Sequence, residues 1–298
     1  MNGPESRIFS LPAASQAGLY ACFVLLLIAA AAPALIRLSP PRARWLALLW
    51  PVPYLIYAAG CNDFRWTALL RLAAIATPPL ALYCLFPVRN PALLCWQDVP
   101  AWLWLALAIL FRQLAGIWTV PANLDFMGRL FMIMIASWLW VWIRPVPGIG
   151  YRLAVTLRTL RVAGTNFILF AIIAIPSSLA LHFTHWNPRW PGVAAFALEY
   201  IEIFVFIAWL EELFFRGFLQ TLLSNTLKSP VRAQLIASCI FGLSHILNGH
   251  APNWRYVALA SVAGWFYGSA FRKGGNLMAS SMTHALVDTV WRTWFLRP

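Results

Sequence analysis

F-V-F-I-A-W-L-E-E-L-F-F-R-G-F, from Phe204 to Phe218, puts Glu211, Glu212 and Arg216 inside an otherwise unbroken apolar run. The run has the length and character of the middle of a membrane helix, where a charged side chain costs roughly 2.5 to 3.5 kcal/mol on insertion scales. Three ionisable groups at that depth face a protein interior or a wet cavity, and the stretch is a functional-site candidate for that reason. Spacing gives them different jobs. Glu212 and Arg216 lie one turn above each other on one helix face and can pair. Glu211 is turned by about 100° around the axis, is poorly placed to share that partner, and is free to act as a base.

Working outward, only 10% of the 298 residues are charged while 61% are hydrophobic, and the mean hydropathy is +0.72. Apolar runs long enough to cross a hydrocarbon core of about 30 Å recur down the chain. The expected fold is all-α: a polytopic transmembrane helix bundle of about 8–10 spans, with no room for a soluble domain of ordinary size. The net charge of +13 raises nucleic acid as a partner, but no run of five or more Lys and Arg exists, so the charge is assigned to orientation and anionic headgroups. Nucleic acid is excluded as a partner on that basis. Five scattered cysteines without a C-x-x-C spacing give neither a disulfide framework nor a zinc knuckle, and read as buried small apolar residues.

The expected spans are 18–36, 45–60, 66–87, 101–120, 128–143, 166–184, 193–222, 231–248, 255–271 and 276–292. Glu5 and Arg7 precede the first of these, which is taken as a retained span. More of the 22 basic residues fall on the side containing Arg42, Arg44, Arg144, Arg152, Arg158 and Arg161 than on the side containing Arg7, Arg189, Arg255, Arg292 and Arg297. The first side is expected to be cytoplasmic. The basic segment 144–165 reads as an interfacial helix that divides an N-terminal transmembrane region, 1–165, from a C-terminal domain, 166–298. Asp63, Asp98 and Asp125 fall in expected connections and read as solvated charges, while Glu199 and Glu202 sit near the outer half of the long span.

The C-terminal region repeats the anomaly of the opening stretch. F-G-L-S-H, Phe241 to His245, and H-A-L-V-D, His284 to Asp288, both fall on expected helices. Phe241 lies one turn from His245 and can wall a cavity. His284 and Asp288 share a face, so the carboxylate can orient the imidazole or share its proton. Ala260, Gly264 and Gly268 form a small-residue stripe that lets helices touch backbone to backbone. A lone histidine in a span is commonly a helix-to-helix hydrogen bond, and one Glu–Arg pair can be a clamp. Five such groups in one third of the chain read as a site. His182 and His250, near span ends, keep the structural reading.

Glu211, Glu212 and Arg216 as E-E-x-x-x-R, Phe241 and His245 as F-x-x-x-H, and His284 and Asp288 as H-x-x-x-D together resemble the CPBP intramembrane proteases. That family includes the CAAX prenyl endopeptidases and the bacterial Abi, or bacteriocin-immunity-like, proteins. The resemblance covers about residues 193–292 and implies a helical bundle with a conical intramembrane cavity in the C-terminal half. It implies a hydrolase acting on a peptide bond near a C-terminus or within a membrane-associated segment, in a bacterial plasma membrane, with a protein substrate that can carry a lipid. Glu211 matches the water-activating glutamate, Glu212 and Arg216 its supporting pair, and His245, His284 and Asp288 the remaining catalytic positions. Prenyl-processing members carry Asn where this chain has Asp288. An amide donates to an oxyanion and an ionised carboxylate does not, so Asp288 is expected to orient His284 or to hold a proton.

The chemistry expected is cofactor-free: Glu211 deprotonates water and a histidine stabilises the charge developing on the carbonyl oxygen. A zinc variant would use Glu212, His245 and His284, although H-E-x-x-H is absent. Outside catalysis, the polar cluster would serve a membrane scaffold or immunity protein. A transporter is disfavoured because the acid and histidine groups occupy only the second half, without the repeated halves common in transporters.

Overall fold

The structure, a computed structural model, describes residues 11–296. Glu5, Arg7 and Arg297, used above for the N-terminal and topology expectations, lie outside the described residues. The chain forms eleven helices among those residues: α1 Ala13–Leu35, α2 Pro40–Ala47, α3 Val52–Cys61, α4 Trp66–Leu85, α5 Asp98–Leu110, α6 Asp125–Ile143, α7 Leu157–Ala180, α8 Val193–Leu227, α9 Pro230–Leu243, α10 Trp254–Gly274 and α11 Leu277–Trp294. Of these, α1, α4, α6, α7 and α8 are long and apolar enough to cross a membrane. The protein is an all-α integral membrane bundle. A small sheet pairs β1, His185–Trp186, antiparallel with β2, Phe295–Leu296.

Two compact units result, one made of the chain up to Pro91 with Cys95–Pro145, the other of Ala92–Leu94 and the chain from Val146 on. In the first, α1 and α3 meet at Gly18 and Gly60, where a Cβ on either would lie 2.6 or 2.5 Å from the other's Cα. Several expectations change here. The span 45–60 is divided into α2 and α3, because Pro51 and Pro53 fall at the break and start the second helix. The span 101–120 stops at Leu110, where Arg112 turns left-handed and the Gln113 amide donates to the Ala108 carbonyl at 2.9 Å, a Schellman-type closure.

Asp98 is not a solvated charge. It is fully buried and receives Arg144 at 2.8 and 2.7 Å, the Tyr83 hydroxyl at 2.9 Å and the Cys95 amide at 2.8 Å. Asp63 is likewise engaged, by Arg65, Tyr57 and Thr119. Nor is there a separate interfacial helix over 144–165: Arg158 and Arg161 stand at the start of α7, whose Thr156 side chain caps the Thr159 amide. Cys239 is exposed rather than buried.

In the second unit, α9 and α10 approach at backbone distance. A Cβ on Gly264 would lie 3.1 Å from Ser238 Cα, and one on Gly268 would lie 2.6 Å from Gln220 Oε1. The α9–α10 contact is closed by Gln234 donating to the Trp265 carbonyl at 2.9 Å, and Gln220 of α8 joins α10 by donating to the Gly268 carbonyl at 3.2 Å. The small-residue stripe thus sets the spacing of the helices that carry the candidate groups.

Candidate active site

The helix carrying Glu211 and Glu212 is not a regular α-helix. Stretches of wider, π-type winding at Phe204–Ala208 and Leu213–Gln220 flank Trp209–Glu212, a distortion frequent at functional sites. Glu212 and Arg216 are both fully buried and form an ion pair at 3.2 Å between Oε2 and Nε. The contact is out of hydrogen-bond alignment, and none of the three guanidinium nitrogens makes a hydrogen bond among the described residues. Aromatic faces take that place: the guanidinium carbon lies 4.8 Å from the Phe241 ring centre, 5.7 Å from Tyr267 and 5.9 Å from Phe215. A desolvated cation over such faces gains about 2 kcal/mol or more.

Glu212 has a second partner. Its Oε1 accepts from His284 Nδ1 at 3.0 Å, so the imidazole reaches from α11 across to α8. Tyr267 of α10 stacks on the same ring at 4.4 Å with an interplanar angle of 15°. Glu212 and Tyr267, rather than Asp288, therefore fix the ring of His284. Asp288 lies one turn along α11 on the Nε2 edge, at 3.7 Å, beyond hydrogen-bond reach. Glu211 faces the same Nε2 at 3.9 Å, and its buried Oε2 accepts no hydrogen bond among the described residues.

His245 is not on a helix, as its motif implied, but in the turn after α9. The cause is local. Its Nδ1 donates to the Phe241 carbonyl at 2.9 Å, and Ser244 Oγ donates to the same oxygen at 2.7 Å, so side chains occupy the acceptor that a continuing helix would use. With Nδ1 held, Nε2 is the nitrogen left for the cavity. The ring packs against Phe241 at 4.8 Å and Tyr256 at 4.9 Å, and Phe241 in turn lies 5.9 Å from His284.

Glu211, His245, His284 and Asp288 all line one cavity of about 200 Å³, with Phe241 and Tyr267 in its wall. The polar groups met separately in the sequence are thus assembled in one place: Glu211, Glu212, Arg216, His284 and Asp288 by direct ion contacts, and His245 through Phe241. Tyr267 and Tyr256 carry no motif signal. Only the position of Tyr267 one turn from Ala263 and Gly264, on the packed face of α10, hints at its role. Among the described residues no three His, Cys, Asp or Glu side chains are grouped as metal ligands; of the zinc set, Glu212 has one oxygen on Arg216 and the other on His284 Nδ1.

Residues 193–290 match the family model described as Rce1-like, type II CAAX prenyl endopeptidase. The match runs from the start of α8 nearly to the end of α11 and contains every candidate site residue. No curated protein and no solved structure matches the chain.

Proposed function

From the place of residues 193–290 in the CPBP/CAAX protease family, we propose that the chain is an intramembrane endopeptidase of a bacterial plasma membrane that cleaves membrane-associated protein tails by glutamate-activated water. One observation carries the mechanism: among the described residues the Glu211 Oε2 atom is buried at the cavity without a hydrogen-bond donor, 3.9 Å from a histidine nitrogen whose ring is already held from its other side. A carboxylate so placed accepts a proton from water. The hydroxide attacks the scissile carbonyl, the C–N bond breaks, and the proton taken by Glu211 passes to the leaving amine. When Nε2 of His284 or His245 carries a proton, it donates to the oxyanion. Glu212 and Tyr267 keep His284 in position, and Arg216 holds Glu212. No covalent intermediate is required.

Comparison of protein C-termini in the membranes of cells carrying the wild type or Glu211→Gln tests this reading. Shortened tails found only with the wild type are expected, with an unchanged melting temperature for the variant. Equal shortening in both strains would remove Glu211 as the base, and no shortening with the wild type would leave the scaffold reading. Stoichiometric zinc in the purified protein, lost on His245→Ala or His284→Ala, with chelated wild type recovering activity on return of metal, would replace the glutamate mechanism by a metal one.

A further inference from the structure

The cavity that holds Glu211 and His284 is also lined by Arg292, the only Lys or Arg in its described wall. The carboxyl groups of that wall are Glu211 and Asp288. His284, Asp288 and Arg292 stand on successive turns of α11, which places the Arg292 backbone about 12 Å along the axis from that of His284. Arg292 has a nominal partner in Glu199 of α8, but at 3.9 Å, with the two side chains 46% and 31% exposed. A pair this long and this exposed is exchangeable and contributes little to stability. It contrasts with Arg216, which is sealed in.

We infer that Arg292 is a specificity residue that holds the free C-terminal carboxylate of the substrate, with Glu199 as the partner it exchanges. The inference rests on the hydrolase reading above. A guanidinium presents a planar fork of N–H donors matched to a carboxylate. Arg292 stands about two turns of α11 beyond His284, so a terminus held there lies apart from the carbonyl attacked beside His284. Asp288, between the two points, repels a carboxylate and favours its placement at the Arg292 end.

The test uses the full-length protein in detergent and two peptide pools, each with one apolar anchor and randomised final residues, one pool ending in a free carboxylate and the other in an amide. The wild type is expected to cut the free-acid pool faster by about tenfold to a hundredfold, the range for a lost charge-assisted hydrogen bond. Arg292→Gln should bring the two pools to equal rates, chiefly through KM. Glu199→Gln should retain the preference, because it frees Arg292. Arg292→Lys, which keeps the charge and loses the fork, should show a reduced preference and covers the case in which Arg292→Gln does not fold. Equal cutting of both pools by the wild type overturns the inference, as do equal losses in Arg292→Gln and Glu199→Gln, which would make the pair structural. Cutting of amidated peptides only where Asp or Glu lies near the end would move the contact to a side-chain carboxylate and overturns the terminal assignment. No cutting of either pool by the wild type is a different failure, since it removes the hydrolase reading before any variant is measured.

Discussion

Among the described residues each unit of the protein buries one arginine beside one acid, and the two pairs are built differently. Arg144 and Asp98 form two parallel hydrogen bonds, at 2.8 and 2.7 Å, and the surplus capacity on both sides is used: Tyr83 and the Cys95 amide donate to Asp98, and Arg144 donates to the Pro91 carbonyl at 2.5 Å. Arg216 and Glu212 make one unaligned contact at 3.2 Å, with aromatic rings in place of hydrogen-bond acceptors around the cation. The first pair is saturated and can only hold helices together. The second uses one glutamate oxygen and leaves the other for His284. Burial of an ion pair alone therefore does not single out a candidate site; the pair with the unfinished hydrogen-bond inventory is the one beside the cavity.

The largest effects test this contrast through stability. Asp98→Ala strands a buried guanidinium and should lower stability by about 3 to 5 kcal/mol, read as a lower melting temperature and a smaller folded yield in detergent. Arg216→Ala should cost a similar amount by stranding Glu212. The double replacements should diverge. Glu212→Gln with Arg216→Met leaves an aromatic box that packs a thioether well, and should recover much of the loss seen in Arg216→Ala. Asp98→Leu with Arg144→Met leaves Tyr83 and the Cys95 amide without their acceptor and should recover little. Equal recovery at both sites would break the comparison.

The next effects are on rate. His284→Ala and His245→Ala should each lower kcat by about 10² to 10³, the cost of one lost donor to a developing oxyanion, while the fold persists. Glu212→Gln keeps an oxygen for Nδ1 and should lower kcat less than His284→Ala does. Asp98→Ala should leave kcat per folded molecule unchanged. A rate defect there in protein shown to be folded would mean that the first pair also serves chemistry.

What the sequence made legible was local. The spacing of Glu212 and Arg216 lies within one helix, and the contact is formed as a helix-face argument requires. The same reasoning missed Asp98, because its partner is far along the chain and a connection rich in turns looks solvated until Arg144 is brought to it. It misassigned the orientation of His284 for a related reason: the helix-face neighbour, Asp288, is visible in the sequence, whereas the bond that orients the ring crosses between helices to Glu212. His245 was placed on a helix because the apolar pattern runs on to Ile246 and Leu247, and only the capture of the Phe241 carbonyl by side chains ends α9 at Leu243. The five long helices α1, α4, α6, α7 and α8, being set by length and hydropathy, are the most readable part, whereas the other expected spans are helices that fall short in length or in apolar character.

The smallest effect falls on Asp288, the one motif position at which the chain departs from the prenyl-processing pattern. Were Asp288 the orienting partner of His284, its replacement by any residue that cannot accept a hydrogen bond would cost as much as loss of the histidine. The structure places its carboxylate 3.7 Å from Nε2, while Glu212 engages the opposite nitrogen at 3.0 Å. Asp288→Asn should therefore leave the ring in place. The amide adds an N–H directed at the same region as Nε2, where an oxyanion accepts and where an ionised carboxylate cannot donate. Single-turnover rates on a tail identified by the C-terminus comparison should be retained, or raised by up to about tenfold, in Asp288→Asn. Asp288→Leu, which has neither donor nor charge, should show no such gain. A fall in Asp288→Asn to the level of His284→Ala would show that the negative charge itself is required, and the oxyanion contact would then rest on the two histidines.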